Sequence, residues 1–124
     1  MATTLRLLVV DDSPRVRRTI RAVVADLTSA VEECADGDQV LARFEAFRPH
    51  VVLMDIRMPR MDGIQATALL KERHPAARVV IVSDYEQDDL RRAARAAGAE
   101  AYVPKSDLTV LRDLLSEGEE EGRP

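Results

Sequence analysis

The stretch Val51–Ile64, VVLMDIRMPRMDGI, shows most directly how this chain is built. Four apolar residues, Val51 to Met54, end at a single carboxylate, Asp55, and a polar segment with a proline and a glycine follows. A short, continuous apolar run bounded by turn residues is typical of a strand that is buried on both faces. An Asp after a strand is most often a helix cap or a turn residue, so Asp55 alone does not define a function.

Composition limits the class of protein. The chain has 124 residues, 46% hydrophobic and 32% charged, as expected for one soluble globular domain. Its apolar runs are shorter than the ~18 residues of a membrane span, and its start has no signal-peptide pattern. Cys34 is the only cysteine, which excludes an internal disulfide, fits a reducing cytoplasm and is expected to be buried. The net charge of -4 gives no sign of a nucleic-acid surface in this chain.

Strand-like and helix-like segments alternate along the whole sequence. The strand-like runs are Leu5–Val10, Ala30–Cys34, Val51–Met54, Arg78–Ser83 and Glu100–Pro104. Between them, Ser13-Pro14 predicts a helix start and Gly98 a helix end, and Ser106 and Asp107 offer caps for a last helix. Five such units predict an α/β fold, a parallel sheet with helices on both faces. We assign the domain to residues 1–117 and an acidic tail or linker to residues 118–124.

Polar side chains follow four of the five predicted strands. They are Asp11 and Asp12 after the first strand, Asp55 after the third, Ser83 at the end of the fourth and Lys105 after the fifth. The second strand is followed by Ala35-Asp36-Gly37, which we interpret as ordinary turn chemistry. Because ligands of open parallel sheets bind outside the carboxyl ends of the strands, we expect these side chains to converge at one edge.

The converging residues suit a metal and a phosphoryl group. Three neighbouring carboxylates repel one another unless a cation lies among them, and an all-oxygen set suits Mg²⁺. Lys105 and Ser83 add a fixed cation and a hydroxyl donor for phosphoryl oxygens. Asp55, single and at the tip of a central strand, is the candidate nucleophile for an aspartyl phosphate.

These motifs resemble the receiver domains of bacterial two-component response regulators. The resemblance covers Leu5 to Leu115 and depends on LLVVDDS, VVLMDIRMPRMDG, the strand ending in Ser83, and YVPKSDL. It implies a three-layer, doubly wound, flavodoxin-like fold with five helices and strand order 2-1-3-4-5. The region HPAARVVIVSDYEQDD and the ending of the lysine motif are most similar to receivers of the NarL/FixJ type.

The resemblance also implies the roles of the acidic residues. Asp55 would be the phosphoacceptor, taking the phosphoryl group from the phosphohistidine of a sensor histidine kinase or a phosphotransfer protein. Asp12 and Asp55 would be direct ligands of Mg²⁺, with Mn²⁺ as an alternative, and Asp11 would help to hold the ion. The backbone carbonyl of Arg57 would complete the protein's share of the metal site.

Three further residues would read the phosphorylation state. By the resemblance, Lys105 pairs with the phosphoryl group, Ser83 moves to hydrogen-bond it, and Tyr102 turns inward as the second switch residue. Pro104 offers the possibility of a cis peptide with Val103. The residue after the switch Ser is usually small in the family, whereas this chain has Asp84, which we expect to change phosphorylation rates and leave the chemistry intact.

The predicted function is a phosphorylation-driven signalling switch rather than an enzyme acting on other molecules. Phosphorylation would shift the surface formed by helix 4, strand 5 and helix 5, which would control a partner, homodimerisation or an output domain, transcription regulation included. The alternatives are a receiver-like docking module that is not phosphorylated, and a Mg²⁺-dependent phosphatase. The phosphatase would need an acidic residue at position 57, which is Arg, and an FMN-binding flavodoxin would need a hydroxyl- and glycine-rich loop at Asp11-Asp12.

Overall fold

The computed structural model describes residues 4–121 of the chain, and their side chains from 4 to 116. The strands are β1 (Arg6–Val10), β2 (Ala30–Cys34), β3 (Val51–Met54), β4 (Val79–Ser83) and β5 (Ala101–Pro104). The helices are α1 (Pro14–Val24), α2 (Val40–Phe47), α3 (Gly63–Arg73), α4 (Asp88–Ala97) and α5 (Thr109–Glu121). Two 3₁₀ turns, Ala25–Leu27 and Gly37–Gln39, precede β2 and α2.

The strands form one parallel sheet in the order β2-β1-β3-β4-β5, which confirms the predicted topology. The sequence order reverses direction between β1 and β3, so the crevice above their carboxyl ends is the topological switch point where ligands of such folds bind. Within residues 4–121, no helix has the length and apolar character needed to cross a membrane.

The two faces of the sheet bury separate cores because successive strand residues point to opposite sides. Leu7, Val9 and Leu53 belong to the core that α1 and α5 cover, with Ile20 and Leu111 as helix contributions. The alternate residues of the same strands face α2, α3 and α4. They include Leu8, Val10, Val52 and Met54, packed with Phe44, Leu70 and Ala94. All four residues of β3 are buried, as expected for a central strand.

The helix ends follow the sequence signals with one exception. The Ser13 hydroxyl accepts a hydrogen bond from Val16 N at 3.3 Å, and Gly98 ends α4 in the left-handed region with φ 113°. The last helix begins later than predicted, at Thr109 rather than directly after Ser106-Asp107. Asp107 N donates to Pro104 O at 3.1 Å, so these residues form a turn before the helix begins.

The C-terminal helix includes part of the segment assigned as an acidic tail or linker. The backbone of α5 continues to Glu121 and therefore includes the first four residues of the predicted tail, 118–121. The rest of that tail, residues 122–124, lies outside the described residues. Cys34 is 4% exposed, which confirms its predicted burial, and this burial raises the pKa of its thiol to about 11. The Val103–Pro104 bond is trans, so the suggested cis peptide is wrong.

Candidate functional site

Backbone hydrogen bonds continue beyond the strand ends and align the residues that follow them. Asp11 N donates to Cys34 O at 3.1 Å, Asp55 N to Val10 O at 2.9 Å, and Lys105 N to Ser83 O at 3.1 Å. Each bond continues the parallel ladder between neighbouring strands. The predicted site residues therefore lie side by side at the carboxyl edge of the sheet.

Lys105 bridges two of the three carboxylates. Its Nζ lies 2.9 Å from Asp11 Oδ2 and 3.2 Å from Asp55 Oδ2. The second oxygen of each carboxylate accepts a backbone hydrogen bond, Asp11 Oδ1 from Ser13 N at 2.8 Å and Asp55 Oδ1 from Ile56 N at 2.9 Å. Both acidic side chains are buried. Because one oxygen of each contacts Lys105 and the other accepts from a backbone N–H, the orientation of each carboxylate is restrained at both oxygens.

The acidic cluster has more negative charge than Lys105 neutralises. Asp11, Asp12 and Asp55 each offer an oxygen, and these oxygens lie within 4.8 Å of one another. Burial and the charge of Asp11 raise the pKa of Asp55 to about 6, against the lowering effect of Lys105. Burial lowers the pKa of Lys105, but its contacts with both carboxylates raise it above its usual value.

This imbalance of charge fits a divalent cation. A hard ion among the carboxylate oxygens offsets both effects that raise the pKa of Asp55, its burial and the charge of Asp11. Mg²⁺ takes one or two carboxylates while retaining waters. Asp12 is exposed, so a partly hydrated ion can reach it. The guanidinium carbon of Arg57 lies 4.5 Å from the centre of the Tyr85 ring. The role of the Arg57 carbonyl as a ligand stays a prediction.

Ser83 and Tyr102 are connected through a single residue, Tyr85. Tyr85 N donates to the Ser83 hydroxyl at 3.0 Å, and the Tyr102 hydroxyl donates to the Tyr85 carbonyl. The Tyr102 ring is half-buried against the core and carries the Arg91 guanidinium 4.7 Å from its centre. Asp84, which lies between Ser83 and Tyr85 in the chain, is exposed.

Two residues beside the site, Gly63 and Asp36, have roles that the sequence did not predict. A Cβ on Gly63 would overlap the Asp55 carbonyl oxygen and lie 2.8 Å from Met54 Cγ, so only glycine permits this close approach of α3 to β3. Asp36, interpreted as a turn residue, also bonds to the loop that follows Asp55. Gly63 and the pair Asp36-Gly37 are recognisable in the sequence as turn-forming residues. The sequence does not show which distant backbone atoms they contact.

The carboxyl edge of this doubly wound sheet thus brings together buried acidic residues, the lysine that bridges them and, at the end of β4, the buried Ser83. The family model for the response regulator receiver domain matches residues 7–116. The chain belongs to this family, whose members are phosphorylation-controlled signalling domains.

Individual relatives agree with the assignment. The chain is 31% identical over 116 residues to the chemotaxis protein CheY of Halobacterium salinarum, covering 90% of this chain and 97% of that protein. It is 37% identical over 103 residues to the response regulator GacA of Pseudomonas protegens, covering 82% of this chain and 48% of GacA. The chain spans only 14% to 48% of the length of several curated relatives.

A solved structure shows the same architecture. The signal receiver domain of the response regulator NarL from Mycobacterium tuberculosis superposes with a TM-score of 0.80 at 27% identity. The match covers 98% of this chain and all of that one. The similarity to a NarL receiver agrees with the predicted NarL/FixJ-like character.

Proposed function

We propose that Asp55 is the phosphoacceptor of this receiver domain and that a histidine kinase or a phosphotransfer protein supplies the phosphoryl group. The observation that carries the proposal is the Lys105 bridge between Asp11 and Asp55, with Asp12 beside it. A carboxylate oxygen of Asp55 attacks phosphorus, the P–N bond of the phosphohistidine breaks, and its electron pair returns to the imidazole.

Asp11, Asp12, Asp55 and the Arg57 carbonyl are the residues proposed to hold Mg²⁺. When bound, the ion neutralises the carboxylates and the developing charge on the transferred group. Phosphorylation removes the free carboxylate of Asp55 and adds negative charge on the phosphoryl oxygens. The Lys105 amine would therefore exchange its contact with the Asp55 carboxylate for a contact with the phosphoryl oxygens. The Ser83 hydroxyl already accepts from Tyr85 N, so its own proton is the group that can be donated to phosphate.

The switch is proposed to run from Ser83 through Tyr85 to Tyr102. A phosphoryl group that draws Ser83 toward Asp55 pulls on the Tyr85 backbone, whose carbonyl accepts from Tyr102. A shift from 1:99 to 99:1 between two states requires about 5.5 kcal/mol of differential stabilisation. Charge-assisted hydrogen bonds from Ser83 and Lys105 to phosphoryl oxygens supply energies of that order.

The surface that responds is proposed to be formed by α4, β5 and α5. Tyr102 lies in β5 and contacts Arg91 of α4, so both elements are in direct contact with the switch. This surface would bind a partner, a second copy of the domain or an output domain, transcription regulators included. The site of action is proposed to be the cytoplasm, where the kinase domains that supply phosphohistidine operate.

One experiment tests the proposal. The chain is incubated with Mg²⁺ and acetyl phosphate, and its intact mass is measured for wild type and Asp55→Asn. We expect one phosphoryl group on wild type, labile to base and hydroxylamine, and none on the variant. An unmodified wild type with every donor tried would support a docking module, and continuous hydrolysis of a phosphomonoester would support a phosphatase.

A further inference from the structure

Asp36 connects the end of β2 to a loop that is distant in sequence. Its Oδ2 accepts from Arg60 N and its Oδ1 from Met61 N, both at 2.9 Å, and Oδ1 also accepts from Asp38 N at 3.3 Å. The side chain is 7% exposed. Burial works against ionisation, but these backbone donors hold the pKa of Asp36 below its ordinary value. Asp36 is therefore a buried carboxylate with both oxygens committed to protein N–H groups.

The residues next to Asp36 reinforce the same contact. A Cβ on Gly37 would overlap the Met61 carbonyl oxygen and lie 3.2 Å from the Ala66 side chain. The Asp38 carboxylate approaches the Arg60 guanidinium at 3.6 Å, but the Arg60 side chain is 80% exposed and that of Asp38 is 34% exposed, and such a surface pair contributes little. The buried contact of Asp36 thus accounts for most of the attachment.

The loop that Asp36 holds, residues 56–62, is the one that leaves Asp55. At its far end Gly63 N donates to Ile56 O at 2.7 Å, which closes the loop at its base. Asp36 binds the opposite side, at Arg60 and Met61. The Arg57 carbonyl, proposed as a metal ligand, lies between these two attachments, so its position depends on both.

We propose that Asp36 is a positioning residue of the phosphorylation site, which orients the loop 56–62 for metal binding and phosphoryl acceptance without itself contacting the metal or the phosphate. The inference depends on the function proposed for Asp55. Its physical basis is that ligands must be held close to the productive geometry, and that displacement of a supporting group by about 1 Å costs rate and affinity. Loss of an outer partner of a metal site typically weakens binding by about 10- to 100-fold.

The test compares three variants of the full chain. Asp36→Ala removes both acceptors, and Asp36→Asn keeps one oxygen but places an NH₂ group against the second amide. Asp38→Ala is the matched control, because it lies two residues away and removes only the exposed pair with Arg60. Mg²⁺ affinity is measured by isothermal titration calorimetry, phosphorylation by acetyl phosphate at saturating Mg²⁺, and the free energy of unfolding by urea.

We expect Mg²⁺ affinity to fall by about tenfold or more in Asp36→Ala and by less in Asp36→Asn. Phosphorylation should slow in the same order, and Asp38→Ala should remain within about twofold of wild type. Hydrogen exchange at the Arg60 and Met61 amides should accelerate in both Asp36 variants.

A purely structural role gives a different result. If Asp36→Ala is less stable but its folded form binds Mg²⁺ and is phosphorylated as wild type is, the proposal is overturned. If Asp36→Ala does not fold, Asp36→Asn decides by the same measurements. A wild type that binds Mg²⁺ but is never phosphorylated overturns the function proposed for Asp55, while the Mg²⁺ comparison still decides on Asp36. A wild type without Mg²⁺ affinity overturns both.

Discussion

Replacing Asp55 with Asn should stabilise the fold while it removes the proposed chemistry. The carboxyl pKa of about 6 in the folded chain lies above its ordinary value of 3.8, first because of burial and then because of Asp11. Each pH unit of such a difference corresponds to roughly 1.4 kcal/mol. At pH 7 the buried charge therefore costs the folded state about 3 kcal/mol. Asn resembles the protonated carboxyl group, and Asp11 remains as the partner of Lys105.

The pH dependence gives this prediction its sign. A raised carboxyl pKa means that the folded state binds the proton more tightly than the unfolded state. The contribution of the Asp55 carboxyl group to the stability of the fold is therefore most favourable below about pH 4, and it is lost as the pH rises through about 6. The stability advantage of Asp55→Asn should thus be close to zero at pH 4 and reach about 3 kcal/mol at pH 7.

The assay is urea unfolding followed by circular dichroism at several pH values, since the chain contains no Trp. Glu72→Gln, which removes an exposed carboxylate on α3, is the control and should show no such trend. Mg²⁺ at ten times its Kd should stabilise wild type by about 1.4 kcal/mol and the variant by much less. A stability difference that is constant between pH 4 and 7 would refute the electrostatic argument.

Three further predictions test other contacts of the site. Gly63→Ala should destabilise the chain by about 1–3 kcal/mol and slow phosphorylation, because the added Cβ would overlap the Asp55 carbonyl oxygen. Urea unfolding measures the loss of stability, and Gln65→Ala, at an exposed position of the same helix, is the control. Asp84→Ala should speed phosphorylation by acetyl phosphate or change the decay of the phosphorylated form, because it removes an exposed negative charge next to Ser83 that would repel an anionic donor; identical rates would remove the idea. Tyr102→Phe should keep the ring packing but lose the hydrogen bond to the Tyr85 carbonyl, which costs about 1 kcal/mol. Phosphorylation itself should be unchanged, but the response of the α4–β5–α5 surface should weaken, and NMR shifts on phosphorylation measure this response.

Much of the architecture could be predicted because its signals are local. The apolar run before Asp55, the Ser13-Pro14 start of α1 and Gly98 at the end of α4 depend on a few adjacent residues. The start of α5 was misjudged because the residues around Asp107 offered both a cap and a turn, and hydrogen bonding to the Pro104 carbonyl favoured the turn. Where the local sequence is compatible with both a helix cap and a turn, contacts with the neighbouring structure decide which of the two forms.

The sequence by itself determined that carboxylates, a hydroxyl and an amine stand at the ends of buried parallel strands, because strand burial and chain direction follow from residue pattern and order. Only the tertiary structure decided how these groups meet: Lys105 against Asp11 and Asp55, and Asp36 against the amides of a loop more than 20 residues away. Hydrogen bonds and ion pairs depend on distances of a few ångströms. Such distances are set by strand order, register and loop path, none of which a residue's sequence neighbours specify.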